Sequence, residues 1–195
     1  MNILFENQRQ EWSEEQLRDI AGLIYDTDRY IYPAMFSDRS HAEKIISKMF
    51  LVGDSMFCFD NLFTAMEDDC VIGIILWIRG PLIWNPDIYI RCGGNSERIA
   101  MLKAGYFDTY KQMPSEMVSM INICVSESLR GKSIGNKMME AFFQQVSGPY
   151  ELVVLKENPA ALHLYKKMGF SITETFWGLG HREDDVECYQ MRRNR

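Results

Sequence analysis

Apolar residues recur at three- and four-residue spacing early in the chain. Leu17, Ile20, Ala21 and Ile24 form one helical face, and Ser13 followed by Gln16 supplies a capping box ahead of it. Ser40 with Glu43 repeats the device and predicts a helix with Ala42, Ile45, Ile46 and Met49 inside. The connector between them, Tyr30 to Phe36, is rich in aromatic residues. Met56–Met66 and Cys70–Ile78 then read as two strands of a hairpin, broken by the polar turn Glu67-Asp68-Asp69. Over 79–116 the pattern becomes irregular at Pro81, Asn85-Pro86 and Gly93-Gly94-Asn95. Ser96 to Lys111 within it reads as helical through Ile99, Leu102, Tyr106 and Tyr110. Neither flank could bury a core alone, so this stretch is an insertion within one domain covering 1–195.

The second half alternates. Met117–Val125 is a strand, and residues 131–146 form a helix through Ile134, Met138, Phe142 and Val146 that stops at Gly148-Pro149. Tyr150–Leu155 is apolar enough to lie centrally in a sheet. Asn158 and Pro159 cap and start a helix ending near Gly169, and Phe170–Phe176 and Val186–Met191 are the last strands. Hairpins combined with a crossover unit predict an α/β domain with a mixed, mostly antiparallel sheet and helices on both faces.

Composition narrows the function classes. The chain has 195 residues, 47% hydrophobic and 25% charged, as ordinary globular domains are. A fold of this length buries roughly 70% of its unfolded surface, so no disulfide or metal staple is needed. The net charge of -6 opposes general nucleic-acid binding. Val71 to Ile78 is the longest apolar run and is strand-sized, which points to no membrane span; no signal-peptide pattern opens the chain, and the cytoplasm is the expected compartment. The five cysteines form no Cys-x-x-Cys pair, and His41, His163 and His181 fall in no ligand-like cluster, so reduced thiols and no metal site are expected.

One segment carries chemistry. From Ile121 to Gly135 an apolar strand runs through a short loop into a helix N-terminus, whose first N–H groups lack internal partners and attract anions. Arg130, Lys132 and Lys137 add positive charge with no acidic residue between 130 and 137, a local reversal in an acidic chain. Packing relief is the alternative role for Gly131 and Gly135. Gly131-Lys132-Ser133 also matches the end of a nucleotide-triphosphatase P-loop. That motif wants glycine where Ser126 stands, and a magnesium-holding acid where Val153-Val154-Leu155 runs into Lys156.

Arg130-Gly131-Lys132-Ser133-Ile134-Gly135, preceded by Ile123-Cys124-Val125, resembles the Arg/Gln-x-x-Gly-x-Gly/Ala signature of the GNAT N-acetyltransferase superfamily. Asn158-Pro159-Ala160-Ala161, running on through Tyr165 to Gly169-Phe170, is similar to the family's second signature. The resemblance is strong over 117–176. It departs from the pattern at Ser133, where glycine is usual and where a slightly altered cradle is expected. It implies a single GNAT-like domain with two splayed parallel strands, Met117–Val125 and Tyr150–Leu155, holding acetyl-CoA as co-substrate.

By that resemblance, the backbone of Ile123, Cys124 and Val125 pairs with the pantetheine arm. The N–H groups of Arg130, Gly131, Lys132, Ser133, Ile134, Gly135 and Asn136 hold the pyrophosphate, and the Asn158 amide contacts the cofactor arm. Tyr165 gives the thiolate its proton as general acid. The acceptor is an amine on a small molecule or peptide, and a non-catalytic acyl-CoA-binding module of the same fold is the alternative. A homodimer is compatible with the sequence and not derivable from it. No general base is evident: Glu116, Asp108 and Glu187 remain open, as does water-relayed deprotonation. Tyr30, Tyr32, Phe36, Trp84 and the 96–111 helix are expected on the acceptor side, Glu183-Asp184-Asp185 reads as a solvated turn, and Cys124 as a small buried thiol.

Overall fold

Two aspartates close a two-residue hairpin turn. In this computed structural model, which describes residues 2–9, 11–53, 55–82, 85–98, 113–178 and 186–194, Asp68 and Asp69 both take positive φ, +47° and +65°. That conformation matches a two-residue hairpin loop to the twist of its strands. It joins β2 (Leu62–Glu67) to β3 (Cys70–Arg79), with Glu67 opposite Cys70. The expected strand over Met56–Met66 is therefore shorter at its start. Asn61 Nδ2 donates to the Met56 carbonyl at 3.0 Å and the Phe57 N–H donates to Ser55 Oγ at 3.1 Å, so short polar side chains capture the local backbone and Phe59–Asn61 becomes a 3-10 turn.

β1 (Leu4–Asn7) pairs with β2 at one edge of the sheet. α1 (Glu14–Tyr25) has the expected box: the Gln16 N–H donates to Ser13 Oγ, and the Ser13 N–H to Gln16 Oε1. The aromatic connector contains a short helix, α2 (Ile31–Met35). α3 (Arg39–Val52) begins two residues earlier than the Ser40 signal indicates. Asp38 is its cap, accepting from the His41 N–H at 2.8 Å, while Glu43 takes the Arg39 guanidinium. α4 (Pro86–Arg91) follows β3, and the chain is helical again at 96–98; the remainder of the predicted 96–111 helix and Trp84 lie outside the described residues.

β4 (Val118–Val125), α5 (Ile134–Gln145), β5 (Tyr150–Leu155), α6 (Pro159–Lys167), β6 (Ser171–Gly178) and β7 (Val186–Arg193) complete the chain. The helix predicted from residue 131 starts at Ile134. Gly131 and Ser133 take φ of +79° and +61°, and the left-handed backbone at 133 cannot continue a right-handed helix.

The strands form one seven-stranded mixed sheet, ordered β1-β2-β3-β4-β5-β7-β6. Only β4 and β5 run parallel. Helices α1 to α4 cover one face, over Ile20, Ile24, Ile45, Phe50, Ile74 and Leu76; α5 and α6 cover the other, over Ile75, Trp77, Met138, Phe142, Leu152 and Tyr165. Successive β3 residues thus enter alternate cores, which explains its unbroken apolar run.

Candidate active site

The sheet opens at its centre. β4 and β5 pair only through Val118/Tyr150, Ser119/Glu151 and Met120/Leu152, and beyond these three positions the strands separate. A bulge marks the place. On the β3 side Met120 faces Trp77 and Asn122 faces Leu76, so Ile121 is an extra residue in β4. An extra residue bends its strand and raises the local twist. Each arm stays anchored on its outer side, β4 to β3 as far as Val125/Gly73 and β5 to β7 as far as Leu155/Cys188. The result is a V whose inner edges carry no strand pairing over 121–125 and 153–155.

The predicted site residues gather at the open end. Ile123 and Val125 are half-buried against the α5 and α6 side, and Cys124 is buried toward α1. The Arg130 guanidinium folds back, Nε donating to the Val125 carbonyl at 3.2 Å and Nη2 lying 3.9 Å from Cys124 Sγ. The first α5 N–H donor with a partner inside the helix is that of Lys137, to the Ser133 carbonyl at 3.2 Å, and Ser133 gives no side-chain cap. The N–H groups of Ile134, Gly135 and Asn136 are therefore the unpaired first-turn donors. Gly131, Lys132 and Ser133 are exposed beside them, Ile134 is buried, and Asn136 Oδ1 is buried with no hydrogen-bond partner. Among the described residues neither Lys132 nor Lys137 makes an ion pair. A Cβ on Gly135 would stand 3.4 Å from Leu164 Cδ2 and 3.9 Å from Val125 Cγ2, so α5, α6 and β4 converge there.

From the second segment, Asn158 Oδ1 accepts from the Ala161 N–H at 3.1 Å and caps α6. Tyr165 lies on that helix, its ring 6.1 Å from Phe170, and its hydroxyl bonds to no described residue. Burial, and then the nearby Cys124 thiol, raise the Tyr165 phenol above its ordinary value of 10.0, so it stays protonated throughout the neutral range. Burial likewise raises the Cys124 thiol, with Arg130 opposing, which leaves it a poor nucleophile.

The three base candidates separate. Glu116 precedes β4 at the closed end of the V and is exposed, while Glu187 on β7 is engaged by Lys156 at 2.5 Å. Asp108, like Glu183-Asp184-Asp185, lies outside the described residues. Sequence reasoning missed Asn122, buried on β4 one residue past the bulge. Its amide donates to Thr27 Oγ1 at 2.6 Å and its oxygen accepts from the Tyr32 hydroxyl at 3.0 Å. It also missed Asp28, whose Oδ1 accepts from the Tyr30 and Ile31 N–H groups at 2.7 Å each. Only the Asp28-x-Tyr30 turn spacing signalled either.

The sequence model of the acetyltransferase (GNAT) domain matches residues 60–172. The chain belongs to the GNAT acetyltransferase family. No curated protein matches this GNAT chain in sequence. Solved structures do match in fold. An N-acetyltransferase from Staphylococcus aureus Mu50 is 16% identical with a TM-score of 0.67, covering 97% of this chain and 99% of that one. A NatC complex bound to Gag peptide and CoA gives 16% identity and a TM-score of 0.59 over 100% and 99%. A PaiA N-acetyltransferase from Thermoplasma acidophilum, solved with coenzyme A, gives 14% and 0.55 over 100% of both chains. At these identities the likeness is one of fold. Among the described residues of the GNAT chain, no helix is long and apolar enough to cross a membrane.

Proposed function

We propose that this GNAT protein transfers an acetyl group from acetyl-CoA to an amine by direct attack, with Tyr165 as general acid. The opening of β4 from β5 beyond Met120/Leu152, with the α5 N-terminus and Tyr165 at the same end, carries this reading. The edge of β4 at Ile123, Cys124 and Val125 that faces away from β3 has no strand partner and offers itself to the pantetheine arm, with the Val125 carbonyl shared with the Arg130 guanidinium. The N–H groups from Gly131 through Asn136, with the side chains of Lys132 and Lys137, suit a diphosphate, whereas the Arg130 N–H expected among them is taken by the Glu127 carbonyl at 3.2 Å. Asn158 keeps its amide nitrogen for the arm while its oxygen caps α6. CoA-bound relatives of the same fold, one of them also holding a peptide, support the choice of co-substrate and of a small-molecule or peptide amine.

The amine nitrogen attacks the thioester carbonyl, and an N–H at the β4 end stabilises the oxyanion that forms. As the C–S bond breaks, the sulfur takes the Tyr165 proton. The desolvation that raises this phenol keeps it protonated until then. No described carboxylate has been assigned as base, and water can carry the amine proton away. We place the enzyme in the cytoplasm.

Calorimetry with acetyl-CoA and CoA-thiol release over an amine panel test the proposal. Tyr165→Phe should lower kcat by about 10²-fold, the usual scale of general acid catalysis, with acetyl-CoA affinity retained. Since the phenol is raised, the wild-type rate should not decline as pH passes 10.0. Equal rates in the two proteins remove Tyr165 from the acid role. Saturable binding without turnover on any amine makes the protein an acyl-CoA-binding module.

A further inference from the structure

The segment Thr27–Phe36 touches both arms of the V. On the β4 side its anchor is buried: Asn122 receives the Tyr32 hydroxyl and donates to Thr27, whose own hydroxyl donates to the Ile24 carbonyl at 2.6 Å. On the β5 side its contact is exposed. The Tyr30 hydroxyl donates to Glu157 Oε1 at 2.6 Å, and the Arg29 guanidinium pairs with the same carboxylate. Glu157 lies in the turn that leaves β5 and directly precedes the α6 cap, Asn158. The far end of the segment is held by residues after β3. Arg98 Nη1 donates to the carbonyls of Pro33, Ala34 and Phe36 at 3.2, 3.0 and 3.2 Å, and the Tyr89 hydroxyl bonds the Met35 carbonyl. Cys188, the β7 partner of Leu155, is 0% exposed; burial and then the carboxylates of Asp28, Glu157 and Glu187 push its thiol up to about 12.

We infer that Thr27–Phe36 is a strap over the acceptor side of the V, and that Glu157 is the positioning residue that latches it to the β5 arm. The two attachments differ in strength for a physical reason. Breaking the Asn122 anchor would strand buried polar groups, whereas the Glu157 contacts exchange readily with water, Arg29 and Glu157 side chains being 63% and 44% exposed. The strap thus hinges at the β4 side and parts at the β5 side. The inference rests on the acetyl-transfer reading in assigning this side to the acceptor.

The double variant Arg29→Gln/Tyr30→Phe removes the latch from the strap and leaves Glu157 and the loop to Asn158 intact. Iodoacetamide labelling, read peptide by peptide, should mark Cys188 at least ~5-fold faster in the variant, with Cys92, buried at the C-terminal end of α4, unchanged as the control for general loosening. CoA release from acetyl-CoA without amine, which reports water entering to give acetate and CoA, should rise by a similar factor, with acetyl-CoA affinity kept within ~2-fold. A Cys188 that stays protected overturns the latch, and so does a parallel rise at Cys92. Faster Cys188 labelling with unchanged CoA release means that the strap covers β7 and not the reaction site, which also overturns the proposal. Wild-type protein that fails to bind acetyl-CoA sinks the acetyl-transfer reading instead, and Cys188 labelling still reports on the latch.

Discussion

Burial acts on the Tyr165 phenol and the Cys124 thiol in the same direction, with different consequences: a neutral phenol still has a proton to donate, whereas a neutral thiol is a poor nucleophile. The other cysteines extend the argument. Cys70 is exposed at the start of β3, Cys58 is half-buried, and Cys92, Cys124 and Cys188 are buried. A thiol with a pKa of about 12, as at Cys188, is thiolate in roughly one molecule in 10⁴ at pH 8. Native protein titrated with a disulfide reagent at pH 8 should release one equivalent quickly, from Cys70, and five in denaturant. Fast release from Cys188 would contradict its burial. Their spacing in the sequence says nothing of which one faces water, since neighbours distant in the chain decide that.

At the scale of elements, the loop before α5 combines two left-handed residues of different cost. Gly131 adopts φ +79° with nothing within 4 Å of a would-be Cβ, so an alanine there meets backbone strain and no clash. Ser133 adopts φ +61° and ψ +15° as a non-glycine residue. The left-handed conformation costs an L-residue about 1–2 kcal/mol, and glycine's greater loss of entropy on folding returns part of that difference. Ser133→Gly should therefore stabilise the fold by up to about 1 kcal/mol in urea denaturation, and Gly131→Ala should destabilise it by about 1 kcal/mol. A Ser133→Gly variant less stable than wild type would show that the serine side chain contributes a contact. Ser133 thus holds the left-handed backbone at a cost that glycine would not carry. Caps were legible at this scale because they act within four residues, as at Ser13/Gln16 and Asn158. The strand expected at Met56 was not, since Asn61 bonding back to Met56 outweighs the β propensity of Phe57 and Phe59.

Across the whole molecule, Asp28 records how the strap lies on the sheet. Desolvation raises its carboxyl above the 3.8 of an unfolded chain, while the Ile31 and Tyr30 N–H groups and Arg29 oppose the shift. A folded-state value above the unfolded one means that the folded protein holds the proton more tightly. This contribution to stability is present below pH 3.8 and is lost as pH rises through the raised folded value. Asp28→Asn, whose amide oxygen can still accept both N–H groups, should therefore match wild type in Tm near pH 3 and exceed it at pH 7. A variant less stable at pH 7 would mean that the charged carboxylate is favourably held.

Sequence by itself determined most of the elements, the two signature-like motifs and the family they resemble, because each rests on spacing within a few residues or on residue types in fixed order. Only the tertiary structure decided where β4 leaves β5. The bulge at Ile121 exists through a register between strands some forty residues apart, and no local pattern announces it. The strap was likewise hidden: Asn122 meets Thr27 and Tyr32, and Glu157 meets Arg29 and Tyr30, across 90 to 128 positions of chain. Such polar pairs look like ordinary surface residues until folding takes water away from one end and leaves the other wet.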